Sequence, residues 1–138
     1  MHKPHKRHLR VLLVEDEEII VMRLLRETSG MESISVDIAA TQEEARVKIK
    51  YNSFHVVFLD GKVPQQGNAS ADTFELCTWM LGQGIECIIT FSDNPERVQQ
   101  LLQLGAHGSC EKGSEERVYV KNVHDILRFL CDGLEEAV

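Results

Sequence analysis

No stretch of the 138-residue chain approaches the roughly 18 consecutive apolar residues of a membrane span, and its first residues contain no apolar signal region. Neither membrane insertion nor export is indicated, and a cytoplasmic location is expected. The chain has only four cysteines, Cys77, Cys87, Cys110 and Cys131, far apart and without a C-x-x-C pair. That spacing fits neither a zinc site nor a disulfide framework, and reduced core thiols are expected. Positive charge is scarce too: 15 Lys and Arg stand against 22 Asp and Glu, a net −7. Four of the basic residues (Lys3, Lys6, Arg7 and Arg10) crowd the first ten positions, so the body is more acidic still. Such a body argues against direct nucleic-acid binding. No internal repeat, low-complexity tract or second domain is visible. Residues 1–8 read as a basic disordered lead or linker remnant, and 9–138 as one domain large enough to bury a core.

The chain does hold apolar runs that end on acids or hydroxyls. Val56-Val57-Phe58-Leu59 stops at Asp60, with Gly61 and Pro64 breaking the chain just after. Too short for a globular helix, the run reads as a strand buried on both faces. Leu9 to Val14 runs into Glu15-Asp16-Glu17, and Cys87 to Phe91 runs into Ser92-Asp93. Ile34, Val36 and Ile38 alternate with polar residues, the period of a half-exposed edge strand. Residues 107–111 form a short fifth strand.

Helix signals lie between the strands. Residues 17–27 carry Ile20, Leu24 and Met22/Leu25 near helical spacing, and Thr41-x-x-Glu44 is a capping box opening a second helix. Residues 65–71 form a polar loop, after which Asp72-x-x-Glu75 caps a third helix with Phe74, Leu76, Trp79 and Met80. Asn94-Pro95 opens a fourth, with Val98, Leu101 and Leu102 as its buried stripe and Gly105 as its stop. Ser114 opens a fifth, with Val123, Ile126, Leu127, Leu130 and Leu134 at helical spacing. Strand and helix alternate five times, which predicts an α/β doubly wound parallel sheet covered on both faces.

In such a sheet the carboxyl ends of the strands gather at one edge, where ligands bind. That edge would hold Glu15, Asp16, Asp60, a hydroxyl from Ser92 or Thr90, and Lys112. Clustered carboxylates repel unless a cation lies between them, and an all-oxygen set suits Mg²⁺ or Mn²⁺. A lysine facing the same crevice suits a phosphate oxygen. Together these groups suit an aspartate that accepts a phosphoryl group in line.

At these residues the sequence resembles the receiver domains of two-component response regulators, over residues 9–133. The matching positions are Val14-Glu15-Asp16, Leu59-Asp60 with Pro64, the hydroxyl closing the fourth predicted strand, and Gly105-Ala106-x-Gly108-x-x-x-Lys112. The resemblance implies a flavodoxin-like fold with strand order 2-1-3-4-5 and five helices. It also implies that Asp60 is phosphorylated from a phosphohistidine, with Glu15, Asp16, Asp60 and the main-chain carbonyl of Lys62 holding Mg²⁺. Lys112 would hold the acyl phosphate and Ser92 (or Thr90) would follow it as the switch. The implied partners are a sensor histidine kinase or histidine phosphotransfer protein and a downstream protein target, with room for a homodimer. No enzyme activity is expected beyond self-catalysed transfer to and hydrolysis from Asp60.

The sequence departs from the family at Glu15, where a second Asp is usual and one more methylene still reaches a metal, and at three further places. Gly113 rather than proline follows Lys112, Ser109 stands where an aromatic is usual, and 65–71 is longer than usual. These departures favour an alternative, a degenerate receiver acting as a phosphorylation-independent interaction module; the intact Asp16, Asp60 and Lys112 set opposes it. An aspartate-nucleophile phosphatase would need a second aspartate where Lys62 stands. A phosphate-binding P-loop would need its lysine after the glycine, not before it as in Lys112-Gly113-Ser114.

Overall fold

The computed structural model describes residues 8–67 and 69–111. Five parallel strands form the sheet: β1 (Leu9–Val14), β2 (Ile34–Ala39), β3 (Val56–Asp60), β6 (Cys87–Ser92) and β7 (Gly108–Glu111). Their spatial order is β2-β1-β3-β6-β7, which, counting the parallel strands along the chain, is the expected 2-1-3-4-5. A two-stranded antiparallel hairpin, β4 (Lys62–Pro64) and β5 (Ser70–Asp72), stands apart from the sheet. Four helices are described: α1 (Glu18–Thr28), α2 (Gln42–Tyr51), α3 (Phe74–Leu81) and α4 (Pro95–Leu104). The helix expected from Ser114 onward, with Cys131, lies outside the described residues, as do Lys112, Gly113 and residues 1–7 of the basic lead.

The continuous apolar runs are explained by two cores, one on each face of the sheet. Because successive strand residues point to opposite faces, Val56 and Phe58 enter one core while Val57 and Leu59 enter the other. β1 divides in the same way, Leu9, Val11 and Leu13 against Leu12 and Val14. The first core is covered by Ile20 and Leu24 of α1. The second is covered by Ala45 and Ile49 of α2, Leu76, Cys77 and Met80 of α3, and Leu101 of α4. Full burial of a side chain such as Phe58 contributes about 1.5–3 kcal/mol, so a polar substitution in β3 removes support from the centre of the sheet. Among the described residues strand β2 pairs only with β1, and it shows the alternating exposure expected of an edge. Met22 and Leu25 do not join the buried stripe of α1: they are 61% and 37% exposed, because the face turned to the sheet carries Ile20 and Leu24, with Val21 packed beside them.

Cap signals held at two helices and failed at a third. Thr41 accepts the Glu44 N–H at 3.1 Å, and Asn94 accepts the N–H groups of Glu96 and Arg97 ahead of Pro95. At α3 the N-cap is Thr73 instead of Asp72, and its hydroxyl turns to a backbone carbonyl of β3. Gly105 ends α4 with φ at 123°, a conformation costly to any side chain. The described cysteines carry free thiols; burial raises all three, that of Cys110 to about 12, which keeps it protonated and inert.

Of residues 65–71, expected as a plain loop, Ser70 and Ala71 belong to the return strand of the hairpin. Val63 is opposite Ala71 and Lys62 opposite Asp72. Two three-residue strands are marginal by themselves, and the support comes from α2. The buried Gln42 side chain donates through Nε2 toward the carbonyls of Val63, Ala71 and Asp72, at 2.9, 3.2 and 3.0 Å. The Glu43 N–H adds a bond to the Gln65 carbonyl at 3.1 Å.

Candidate functional site

β1 and β3 are adjacent in the sheet, in register from Val11 opposite Val56 to Val14 opposite Leu59. Their next residues, Glu15 just past β1 and Asp60 closing β3, therefore stand side by side at the carboxyl edge. The ladders run past the strand ends: the Glu15 N–H reaches the Ala39 carbonyl and the Gly61 N–H reaches the Phe91 carbonyl, each at 3.0 Å. These bonds fix the backbones from which the carboxylates project. Glu15, Asp16 and Asp60 each offer an oxygen, and those oxygens all lie within 4.8 Å of one another. Glu15 is fully buried and Asp60 is 4% exposed, whereas Asp16 is open to solvent. Three carboxylates at this spacing, two of them buried, fit a hard divalent cation with oxygen ligands.

Backbone groups orient the carboxylates. Glu15 accepts the Glu17 N–H at 2.9 Å, where α1 begins, and Asp60 Oδ1 accepts the Lys62 N–H at 3.3 Å. The Asp60 carbonyl is taken by the Thr73 hydroxyl at 2.8 Å, inside a turn closed by the Thr73 N–H on the Gly61 carbonyl at 3.2 Å. Thr73 is thus a site residue that the sequence reading missed. Its only signal was a hydroxyl directly ahead of an apolar helix, and Asp72 offered a rival cap.

The two candidate hydroxyls occupy different environments. Thr90 is fully buried inside β6, and its hydroxyl donates to the Leu59 carbonyl at 3.2 Å. Ser92 ends β6, half-buried, and its Oγ accepts the Asn94 N–H at 3.1 Å. Its Cβ lies 3.3 Å from the place a Cβ on Gly61 would occupy, beside the turn that follows Asp60. Lys62 begins β4 with its side chain exposed. The structure thus brings together Glu15, Asp16, Asp60 and the backbone of Lys62, with Ser92 beside the turn; Lys112 lies outside the described residues.

A further side chain crosses this edge unannounced by the sequence. Arg97, in the first turn of α4, lays its stem over Gly61 and pairs through Nε with Asp72 Oδ1 at 2.9 Å. Nothing in the spacing of residues 72 and 97 links an N-terminal helical arginine to the foot of a hairpin.

No family model matches the chain, and no curated protein matches it in sequence. Solved structures do match in fold. A phosphorylated cyanobacterial phytochrome response regulator, RcpA, superposes with a TM-score of 0.76 at 15% identity, covering 88% of this chain and 93% of that one. A Mn²⁺-bound form of the response regulator Rcp1 gives 0.75 at 14% identity, covering 90% and 95%. A receiver domain protein from Methanospirillum hungatei gives 0.71 at 23% identity, covering 94% and 98%. The chain has the fold of response-regulator receiver domains.

Proposed function

We propose that this receiver-fold chain is a phosphoacceptor in histidine-to-aspartate signal transfer, with Asp60 as the acceptor. The observation that carries the reading is the convergence of the Glu15, Asp16 and Asp60 oxygens within 4.8 Å at the carboxyl edge of the sheet. Those three carboxylates, with the main-chain carbonyl of Lys62, would hold Mg²⁺ or Mn²⁺. Bound there, the cation would neutralise charge developing on the transferring phosphoryl oxygens. Two of the matching solved structures are described as phosphorylated and as Mn²⁺-bound, which supports the same assignment.

The chain's own groups contribute position. Asp60 offers a carboxylate oxygen to the phosphorus of a phosphohistidine; the new P–O bond forms as the P–N bond breaks and the imidazole leaves. The Lys62 N–H holds the other side of the acceptor, and Thr73 fixes its backbone, so the nucleophile reacts from one orientation. Ser92, at the rim, is the hydroxyl suited to follow the phosphoryl group; Thr90 is sealed in the core by its bond to Leu59. Lys112 is the cation assigned to the phosphoryl oxygens by the family resemblance. The expected partners are a histidine kinase or phosphotransfer protein and a downstream protein whose binding depends on the state of Asp60. The chain is not assigned an enzyme activity on other molecules. Among the described residues no helix is long and apolar enough to cross a membrane.

Intact mass after incubation with acetyl phosphate and Mg²⁺, beside Asp60→Asn, tests the reading. One phosphoryl adduct that needs Mg²⁺ and disappears in the variant is expected. No adduct in the wild type, with no response to beryllofluoride, would overturn it in favour of a phosphorylation-independent interaction module.

A further inference from the structure

Arg97 occupies an unusual place for a surface cation. Its stem passes so close to Gly61 that a Cβ there would lie 2.5 Å from its Cδ and 2.8 Å from its Cγ. The same point is 3.3 Å from the Ser92 Cβ, so the arm and the last residue of β6 both flank the turn after Asp60. Only glycine at position 61 leaves room for it. Past the turn, Nε meets Asp72, the last residue of β5, whose neighbour Thr73 holds the Asp60 carbonyl. Three pieces of chain therefore meet along one arginine side chain: the first turn of α4, which carries it, the residue following the acceptor, against its stem, and the foot of the hairpin, at its Nε.

We infer that Arg97 is a latch whose partner changes with the state of Asp60, a reading that rests on Asp60 being the phosphoacceptor. In the resting chain the guanidinium holds Asp72. When Asp60 carries a phosphoryl group, its tetrahedral oxygens add about one to two negative charges beside the arm. Guanidinium binds such oxygens with two parallel N–H donors, a geometry the single Nε contact to Asp72 does not use. The stem already lies against Gly61, the residue that follows the acceptor, so the exchange turns the head from Asp72 toward Asp60. The exchange frees the foot of the hairpin and ties the first turn of α4 to the phosphorylated edge. Arg97 is a positioning residue in this scheme, and Asp72 is its competitor for the site.

The competition gives the two partners opposite signs. Beryllofluoride with Mg²⁺, a non-covalent stand-in for the phosphoryl group, is titrated calorimetrically into the full chain and its variants. Asp72→Asn removes the resting partner and tightens beryllofluoride binding about two- to fivefold, the range set by an exposed ion pair. Arg97→Gln weakens it about tenfold or more, as loss of a charge-assisted hydrogen bond would. The double variant behaves like Arg97→Gln alone, and the ¹⁵Nε resonance of Arg97 shifts on binding in the wild type. If Asp72→Asn and Arg97→Gln weaken binding alike, the pair is only a structural tie and the latch is refuted. If the wild type binds no beryllofluoride, the acceptor reading fails first, and the latch with it.

Discussion

Replacing Gln42 by alanine should cost this chain about 2 kcal/mol, and the loss should be concentrated in a hairpin that residue 42 does not belong to. The Gln42 amide has two protons and meets three carbonyls, those of Val63, Ala71 and Asp72, so at least one proton is shared. The side chain is 1% exposed, and water does not readily replace it. Loss of two buried bonds costs about 1 kcal/mol each, and the cavity adds to that. Removing Oε1 returns part of the sum, because that atom is buried with no hydrogen-bond partner among the described residues. The net is about 2 kcal/mol, a large share of the roughly 5–15 kcal/mol that holds a small domain folded. Urea denaturation measures the total, and amide exchange locates it: protection in 62–72 should fall further than protection in β1 or β3. Gln42→Glu should be worse near neutral pH, since a carboxylate cannot donate to carbonyls, and should recover partly in acid. A midpoint shift equivalent to less than about 0.5 kcal/mol in Gln42→Ala, or a loss spread evenly over the sheet, would refute the reasoning.

Two other outcomes can be checked on the same material. Thr90→Val keeps the core volume and should leave Mg²⁺-dependent adduct formation with acetyl phosphate intact, while Ser92→Ala should alter how the chain responds to it; the reverse pattern would move the switch hydroxyl to Thr90. The Lys48 ammonium holds Asp37 at 2.7 Å and keeps its carboxyl below the usual 3.8, against the opposing effect of burial. A depressed aspartate contributes stability that is complete above its unfolded value of about 3.9 and fades as pH falls through the folded one. On the Lys48 side, burial lowers its pKa, but Asp37 and Glu44 outweigh it and the value is raised. With Asp37 half exposed, screening keeps the pair under about 1 kcal/mol. Asp37→Asn should therefore lower the denaturant midpoint slightly at pH 7 and converge with the wild type near pH 2–3; an undiminished difference there would remove the pair from the account.

What could be read from the sequence was whatever its own neighbours determine. An apolar run ending on Asp60 states both a doubly buried strand and a place where that strand meets solvent. The alternation of Ile34, Val36 and Ile38 states an edge. With those placed, the meeting of Glu15, Asp16 and Asp60 follows from topology. The hairpin was not legible because Lys62-Val63-Pro64 and Ser70-Ala71-Asp72 are too short and mixed to carry a period, and its hydrogen bonds come from an amide far back in the chain. Arg97 and Thr73 were missed for a related reason: each acts on a segment distant in sequence, so no local pattern marks the pairing. Apolar spacing marked α1 as a helix but not the width of its buried face, which takes in Ile20 and Leu24 and leaves Met22 and Leu25 exposed.

The turn at Thr73 has a consequence for how segment 62–72 can vary. Its two ends are stapled together, Thr73 N–H to the Gly61 carbonyl and Thr73 hydroxyl to the Asp60 carbonyl, directly behind the acceptor. Like a bag drawn shut at the neck, the segment can change length while the opening stays the same size. Once the neck is formed, doubling the length of such a loop costs only about 0.6 kcal/mol in closure entropy. Chains of this fold could thus exchange one hairpin for another of different size and charge, altering what stands over the site while the aspartate beneath keeps its aim.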